Sequence, residues 1–389
     1  MKRVTAGSVP VMVASWALAA RAASPDSTLS IELSGRLELS YSRAVGQPDV
    51  AVAGYRGFDN RLSSFALENV VLDVAAHSAD VRARVSFQAG LTPNTYYLAE
   101  PGLGPAAGAG ESDARSWRYL QQAWAGWESS SKAWSADAGL FLSPVGPEGL
   151  AVHDNWNWSR SNLFFALPFY HAGVRVRRQL LPSIALTAFA VNGWNNITDN
   201  NRQPSVAGQL LGTAARWDAA LLYFGGVERA WTDGTEPWRH LADVWIQYGQ
   251  GERLALMLHA DAGRESRGQA TDAWVGAAVY ARYALHPRWS VAGRLDGLRE
   301  RQSDEMVGTA APILFPSVDE TGRVSVGSLT ATLEWRPDGP LLYRLETRHD
   351  RSSTNLFFDG DSQSTADDPP RPDADRQTTV TLGVSAAFE

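Results

Sequence analysis

Charged side chains in this chain of 389 residues recur at every second position within short segments. Arg36 and Glu38 form one such set, Arg82 and Arg84 a second, Arg175 and Arg177 a third. Arg282, Arg294 with Asp296, Glu334, and Arg344 with Glu346 and Arg348 continue the pattern, and Glu32, Asp243, Arg253 and Asp261 are assigned to the same face. Residues two apart on a β-strand share a face, so each set projects one way while its neighbours project the other. Fixed charges on one face can attract or repel ions and small charged solutes, and a planar guanidinium can grip carboxylates or phosphates bidentately. Lys2 and Lys132 are the only lysines, a preference for arginine that arginine-rich coding also accounts for.

Covalent chemistry has little to work with. His259 and Asp261 share a strand face and could form an acid–base pair, but there is no Gly-x-Ser-x-Gly segment and no His-Glu-x-x-His pair. No catalytic residue is assigned, and a non-enzyme is expected. The chain contains no cysteine, which excludes disulfides, thiolate chemistry and a lipidated N-terminal cysteine. Asp359, Asp361, Asp367, Asp368, Asp373 and Asp375 crowd one loop without EF-hand spacing. That loop reads as solvated, so no metal and no cofactor is expected. The block His153, Asp154, Asn155, Trp156 lies in a long connector that either packs on the rim or folds inward. Folded inward, it would narrow a channel and bring Asp154 to the arginines.

The elements that must position these residues are strands. From Thr28 to Ser42, Leu29, Ile31, Leu33, Leu37, Leu39 and Tyr41 alternate with Ser30, Glu32, Ser34, Arg36, Glu38 and Ser40. Val81 to Gln88, Val174 to Arg177 and Ser328 to Trp335 repeat the pattern, whereas Val206 to Trp217 and Ala219 to Glu228 are placed by spacing alone. About sixteen such strands can be laid out. Every second junction is tight: 77–80, 129–132, 181–182, 217–218, 249–252, 286–287 and 337–340. The others are mostly longer: roughly 43–59, 94–115, 144–169, 195–203, 231–237, 264–270, 300–324 and 351–375. Short turns at one end and longer loops at the other are the arrangement of an outer-membrane barrel. Such a wall must close, because a free sheet edge in lipid leaves backbone polar groups unpaired. An arginine facing lipid at mid-bilayer costs about 2–4 kcal/mol, so the charged face is expected to line a wide aqueous lumen. Two aromatic belts are expected: Trp127, Trp134, Trp217, Tyr248, Tyr283, Trp289 and Trp335 at the turns, and Tyr41, Tyr170, Trp194, Trp231 and Trp238 opposite.

At the N-terminus, Lys2 and Arg3 precede an apolar run from Val9 to Ala20, and Ala20-Arg21-Ala22 offers a cleavage site. Residues 1–22 thus read as a signal peptide and 23–389 as the barrel, exported to a Gram-negative outer membrane. Losing Lys2, Arg3 and Arg21 takes the net charge from −7 to −10, which argues against a nucleic-acid partner.

The segment from Ser161 to Asn201 contains Pro168-Phe169-Tyr170-His171, Gly173-Val174-Arg175-Val176 and Val191-Asn192-Gly193-Trp194-Asn195-Asn196. Over these 40 or so residues the chain resembles the OmpL-like β-barrel porin family. The resemblance implies a channel-forming outer-membrane barrel whose solute is poorly defined across the family. One departure is at the C-terminus, where Glu389 follows Phe388, whereas outer-membrane proteins usually end on the aromatic residue. The expectation is an all-β, antiparallel, up-and-down transmembrane barrel passing small hydrophilic solutes and ions, with a weak preference for anions. Membrane lipid and lipopolysaccharide would surround it, and general porins suggest a homotrimer. The competing expectation is a non-conducting barrel serving as an adhesin or anchor.

Overall fold

A computed structural model describes residues 29–46, 50–98, 100, 114–201, 203–228, 236–249, 251–303, 322–359 and 372–388. The signal-peptide segment 1–22 lies outside the described residues, as do Trp231, Asp361, Asp367 and Asp368. Sixteen strands follow one another: β1 Ser30–Ala44, β2 Ser64–Ser78, β3 Val81–Ala89, β4 Leu120–Glu128, β5 Trp134–Leu142, β6 Tyr170–Leu181, β7 Ile184–Val191 and β8 Ser205–Ala214. The second half comprises β9 Trp217–Val227, β10 Trp238–Tyr248, β11 Leu254–Arg267, β12 Ala270–His286, β13 Trp289–Arg301, β14 Arg323–Trp335, β15 Leu341–Ser352 and β16 Arg376–Phe388. Each pairs antiparallel with its sequence neighbours, and β16 returns to β1 over ten Cα pairs from Gly35–Phe388 to Ala44–Thr379. The wall is a closed barrel with no free edge, the condition lipid imposes on any sheet that spans it.

Alternation sets the two faces. Outward positions such as Leu33, Leu72, Leu221, Leu256, Val279, Leu295, Leu329 and Leu382 are exposed, while Glu38, Asp73, Arg294, Thr332, Arg344 and Glu346 between them are buried inside. A β-bulge between Glu38 and Leu39 opposes Glu68 and turns it, together with Asn69, toward the interior. Tight turns close one end, and Ala79, Lys132 and Ala215 there hold positive φ of 51°, 55° and 42°.

Three details differ from the sequence reading. The turn before β9 is Ala215-Arg216 rather than 217–218, because Trp217 pairs with Ala214 and Tyr248 and belongs to the strand. The connector expected at 264–270 shrinks to Gly268-Gln269, since β11 and β12 pair out to Arg267–Ala270 and Gly268 supplies φ +60°. The turn-end aromatic belt is present and outward, with Trp289 stacked on Trp335 at 5.9 Å and Trp217 beside Tyr248 at 4.7 Å. The loop-end belt is thinner than expected. Trp238 is exposed, but Tyr170 is buried against Tyr96 and Tyr97 of the β3–β4 connector, and Trp194 packs on Phe224 and Trp274. Aromatic residues at a strand end serve the core there as readily as the interface.

Candidate functional site: the lumen wall and its strap

The connector between β5 and β6, residues 143–169, enters the barrel and is tied to the wall on both sides. Near its start, the Pro144 carbonyl accepts from Gln209 Nε2 at 2.9 Å and the Gly146 N–H donates to Asp243 at 3.2 Å. Farther along, the Val152 N–H donates to Glu38 at 2.7 Å on β1. The Trp158 and Ser159 N–H groups donate to Glu346 at 2.5 and 2.9 Å, and Trp158 Nε1 reaches Glu68 at 3.2 Å. Two inward glycines form seats for it. A Cβ on Gly383 would lie 2.3 Å from the Trp158 ring, and one on Gly276 would lie 2.5 Å from Leu163 Cγ.

Three arginines hold this strap in place. Arg344 donates to the carbonyls of Val152 at 2.7 Å, Asn157 at 3.2 Å and Asn155, while pairing with Glu334 at 2.8 Å. Arg294 bonds the Ser159 and Arg160 carbonyls and pairs with Asp296 and Glu148. Arg348 bonds the Arg160 carbonyl and Asn162 and pairs with Asp350. All three side chains are at most 1% exposed. A loop away from water must have its backbone groups satisfied, and these charged side chains satisfy them.

The inward-facing set therefore divides into two. Arg294, Asp296, Arg344, Glu346 and Arg348 face inward, as alternation required, but lie under the strap. Arg36, Arg82, Arg84, Arg175 and Arg282 keep between 22% and 34% of their side chains exposed. Glu38 lies with the covered group and Glu334 bridges the two, paired with both Arg344 and Arg282. Arg177 is half-buried and bonds Gln179. Arg253 is corrected: it precedes β11 at the turn-end rim and lies over the outward Tyr283 ring at 4.9 Å. Its neighbour Leu254 begins the strand, so alternation does not govern it.

Three of the accessible arginines, Arg82, Arg84 and Arg175, line a cavity of about 780 Å³ toward the turn end, with Glu32, Asp73, His77 and Trp124 among its other walls. Asp137 lies between Arg82 at 2.9 Å and Arg175 at 2.8 Å, and both guanidiniums lie over the Trp124 ring at 5.5 and 5.1 Å. Asp73 pairs with Arg84 at 2.8 Å. At the loop end the lumen is crowded by an apolar cluster beside buried charged groups such as Arg239 and Glu265. Phe141, Phe189, Phe224, Leu241, Trp274 and Val326 point inward from six strands, and Tyr55, Leu356 and Phe357 join them from two connectors. The wide aqueous lumen expected from alternation is thus subdivided into a wet turn end, a strap at mid-wall and an apolar cluster at the loop end.

Of the connector block, Asp154 is exposed and 3.3 Å from Arg36, and His153 lies within 3.3 Å of Ser385 and 3.4 Å of Arg336. Burial, with help from the Arg336 guanidinium, holds the His153 imidazole below its ordinary pKa. Asn155 bonds Gly149 through both amide atoms, and Trp156 packs edge-on to Tyr280 at 6.5 Å. His259 does meet a carboxylate, but it is Asp243 on the facing strand at 2.6 Å, not Asp261. Glu68, Glu148 and Arg160 were missed by alternation because a bulge or a connector carries them. Trp124, Asp73 and Asp137 lie on strands and carried the same period-two signal as the residues that were found.

A sealed antiparallel wall of sixteen strands, apolar outside and charged inside, defines an outer-membrane barrel of the porin type. The chain belongs to the family described as "Putative beta-barrel porin-2, OmpL-like", whose model matches residues 30–388. Among solved structures it is similar to the trimer form of OmpT, an outer membrane protein of Vibrio cholerae, with 9% identity, TM-score 0.57, and coverage of 93% of this chain and 100% of that one. It is also similar to an anion-selective porin from Comamonas acidovorans, with 10% identity, TM-score 0.56, and coverage of 93% and 100%. The outer membrane channel DcaP of Acinetobacter baumannii matches with 13% identity, TM-score 0.55, and coverage of 92% and 97%. At these identities the likeness is one of fold. No curated protein matches the sequence.

Proposed function

We propose that the protein is a passive channel for small hydrophilic solutes with a weak preference for anions, and that the strap sets its narrowest section. The supporting observation is the group of half-exposed arginines around the turn-end cavity. Arg82, Arg84 and Arg175 present guanidiniums to that space, with Arg36, Arg177 and Arg282 part-exposed elsewhere on the inward wall, whereas Asp73 and Asp137 are nearly covered by their arginine partners. Fixed charge of one sign at a water-filled mouth raises the local concentration of the opposite ion. The accessible carboxylates Glu32, Glu128 and Asp154 oppose this, which keeps the preference small. Export by a cleaved leader, a lipopolysaccharide surround and a homotrimer complete this reading. A non-conducting anchor is the second reading, favoured by the apolar cluster that crowds the loop-end lumen.

Refolded protein in a planar bilayer distinguishes the two readings. Discrete conductance steps with a reversal potential on the anion side support the channel. A heat-shifted gel mobility without conductance supports the anchor, and clear cation selectivity removes the charge argument.

A further inference from the structure

A second connector enters the lumen beside the strap. Between β1 and β2, residues 51–62 form a small hairpin. Val52 bridges Arg61, the Ala53 N–H donates to the Asn60 carbonyl at 2.9 Å, and the Leu62 N–H donates to that of Ala51 at 2.9 Å. The tip, residues 55–59, carries Tyr55, Arg56, Phe58 and Asp59, all buried. Phe58 packs on Phe164, Phe165 and Phe169 of the strap, with ring centroids between 5.7 and 6.0 Å away. Arg56 donates to Thr379 Oγ1 at 3.0 Å and Gln377 to the Gly54 carbonyl at 3.0 Å. The Phe58 N–H donates to Thr95 Oγ1 at 3.1 Å in the β3–β4 connector. Charged side chains hold the strap, whereas these moorings of the hairpin use two hydroxyls and an amide.

The docked hairpin is costly to hold. Tyr55 and Phe58 have φ of 53° and 64°, a region that bulky L side chains rarely adopt, and Ser63 beside them has 56°. No non-glycine residue among the described residues of the strap does so. Arg56 and Asp59 are each 1% exposed, yet their closest approach is 3.7 Å, too long for a hydrogen bond. Both Asp59 oxygens lack a hydrogen-bond partner, as do Arg56 Nε and Nη2. Buried polar atoms left in this way gain free energy by reaching water. Strain and unsatisfied charge concentrated in one segment mark an element of low local stability, suited to a second arrangement.

We propose that the 51–62 hairpin is a reversible plug, which undocks toward the loop end while the strap stays tied to the wall. Undocking hydrates Arg56 and Asp59, releases the left-handed residues and clears the lumen on the loop side of the strap. Docked, the hairpin fills that space; undocked, it leaves the strap as the narrowest section. Gly57 makes the docked state possible, because a Cβ there would lie 2.4 Å from Thr95 Cγ2 and 2.8 Å from Phe165 Cε1. An order change in one segment against a fixed frame is a common form of switch. The plug adds a regulation to the channel reading and rests on that reading for its effect on conductance.

Two measurements on the refolded full chain test this. Hydrogen exchange read by mass spectrometry follows undocking in the wild type whether or not ions pass. Both connectors hold hydrogen-bonded amides, Ala53, Phe58 and Leu62 in one and Val152, Trp158 and Ser159 in the other. Expected is exchange across 52–62 at least tenfold faster than across 150–162. The second measurement is the conductance of Gly57→Cys/Thr95→Cys in a planar bilayer. The native chain has no cysteine, and a Cβ at 57 lies 2.4 Å from Thr95 Cγ2 and 3.4 Å from its Oγ1. That geometry suits a disulfide, whose Cβ atoms stand about 3.8 Å apart. Oxidation should lower mean conductance at least fivefold and reduction should restore it, the reduced form carrying the same side chains as its own control. Equal exchange of the two connectors overturns the proposal. Conductance unchanged by a disulfide that mass shows to have formed overturns it too. Fast hairpin exchange with no conductance in any sample would remove the channel reading and uphold the plug.

Discussion

The lumen wall uses arginine in two opposed ways. On β13 and β15, Arg294, Arg344 and Arg348 are dry, each paired with carboxylate and each bonded to strap backbone. On β1, β3 and β6, Arg36, Arg82, Arg84 and Arg175 stay in contact with water, and their carboxylate partners only partly cover them. The sequence period is the same in both regions. What differs is whether a loop lies over the residue, and that decides whether its charge holds structure or faces solute. A buried charge with one partner removed is left unsatisfied, whereas a half-exposed one regains water.

Arg344→Ala should therefore show the largest effect. It leaves the buried Asn155 and Asn157 carbonyls without the guanidinium, takes one of two donors from Val152 and leaves Glu334 to the part-exposed Arg282 and Arg336, and we expect a loss of about 3–5 kcal/mol. Arg82→Ala should cost only about 1 kcal/mol, because Asp137 keeps Arg175 at 2.8 Å. Denaturant midpoints of refolded barrels give the comparison, and equal losses would show that the two regions do not differ. Next is selectivity. Arg82→Gln with Arg175→Gln should move the reversal potential toward cations by several millivolts in a tenfold salt gradient, whereas Arg348→Gln should leave it unchanged. A shift in Arg348→Gln would mean that solute passes beneath the strap.

Gly383→Ile sharpens the comparison by loosening the strap without changing any charge. The new side chain occupies the place of the Trp158 ring, 2.3 Å from where its Cβ must lie. Overpacking of this kind costs about 1–3 kcal/mol. If the strap is the constriction, conductance should rise severalfold as Trp158 leaves its seat. Unchanged conductance in a barrel that still closes would place the narrowest section elsewhere, the loop-end apolar cluster being the alternative.

Much of this architecture was legible before any coordinates, and the reason is periodicity. A closed wall facing two solvents writes itself as alternation, so β1, β3 and the charged halves of β13 to β15 could be read residue by residue. The turn after β8 was misplaced because Trp217 sits at the interface, where an aromatic residue begins a strand as readily as it ends one. Gly268-Gln269 was overestimated as a loop because the polar run from Arg264 to Gln269 resembles one, although Arg264, Ser266 and Arg267 remain paired in the ladder. The strap carries no period at all. Its path is written in its partners instead, in Gly276 and Gly383 where the inward face lacks a side chain, and in arginines whose carbonyl acceptors belong to a distant connector.

A pH series tests whether the loop end satisfies its buried charge as the strap arginines satisfy theirs. Glu228 follows β9, is buried, and accepts from the Trp194 N–H and Ser205 Oγ, both at 2.7 Å. Burial pushes its carboxyl up to about 7, against the opposing pull of Arg239 and these hydrogen bonds. An acid whose pKa is raised on folding contributes stability that is complete below its unfolded value near 4.5 and is lost as pH rises through 7. Glu228→Gln keeps a neutral side chain at every pH, so it should match wild type near pH 4 and exceed it at pH 8. The gain is bounded at about 3 kcal/mol, reduced by whatever the amide loses in hydrogen-bond geometry. Urea midpoints of the two barrels at pH 4, 6 and 8 measure it. Parallel curves would mean that Arg239 neutralises Glu228 completely, and the loop end would then handle its buried charge as the strap arginines handle theirs.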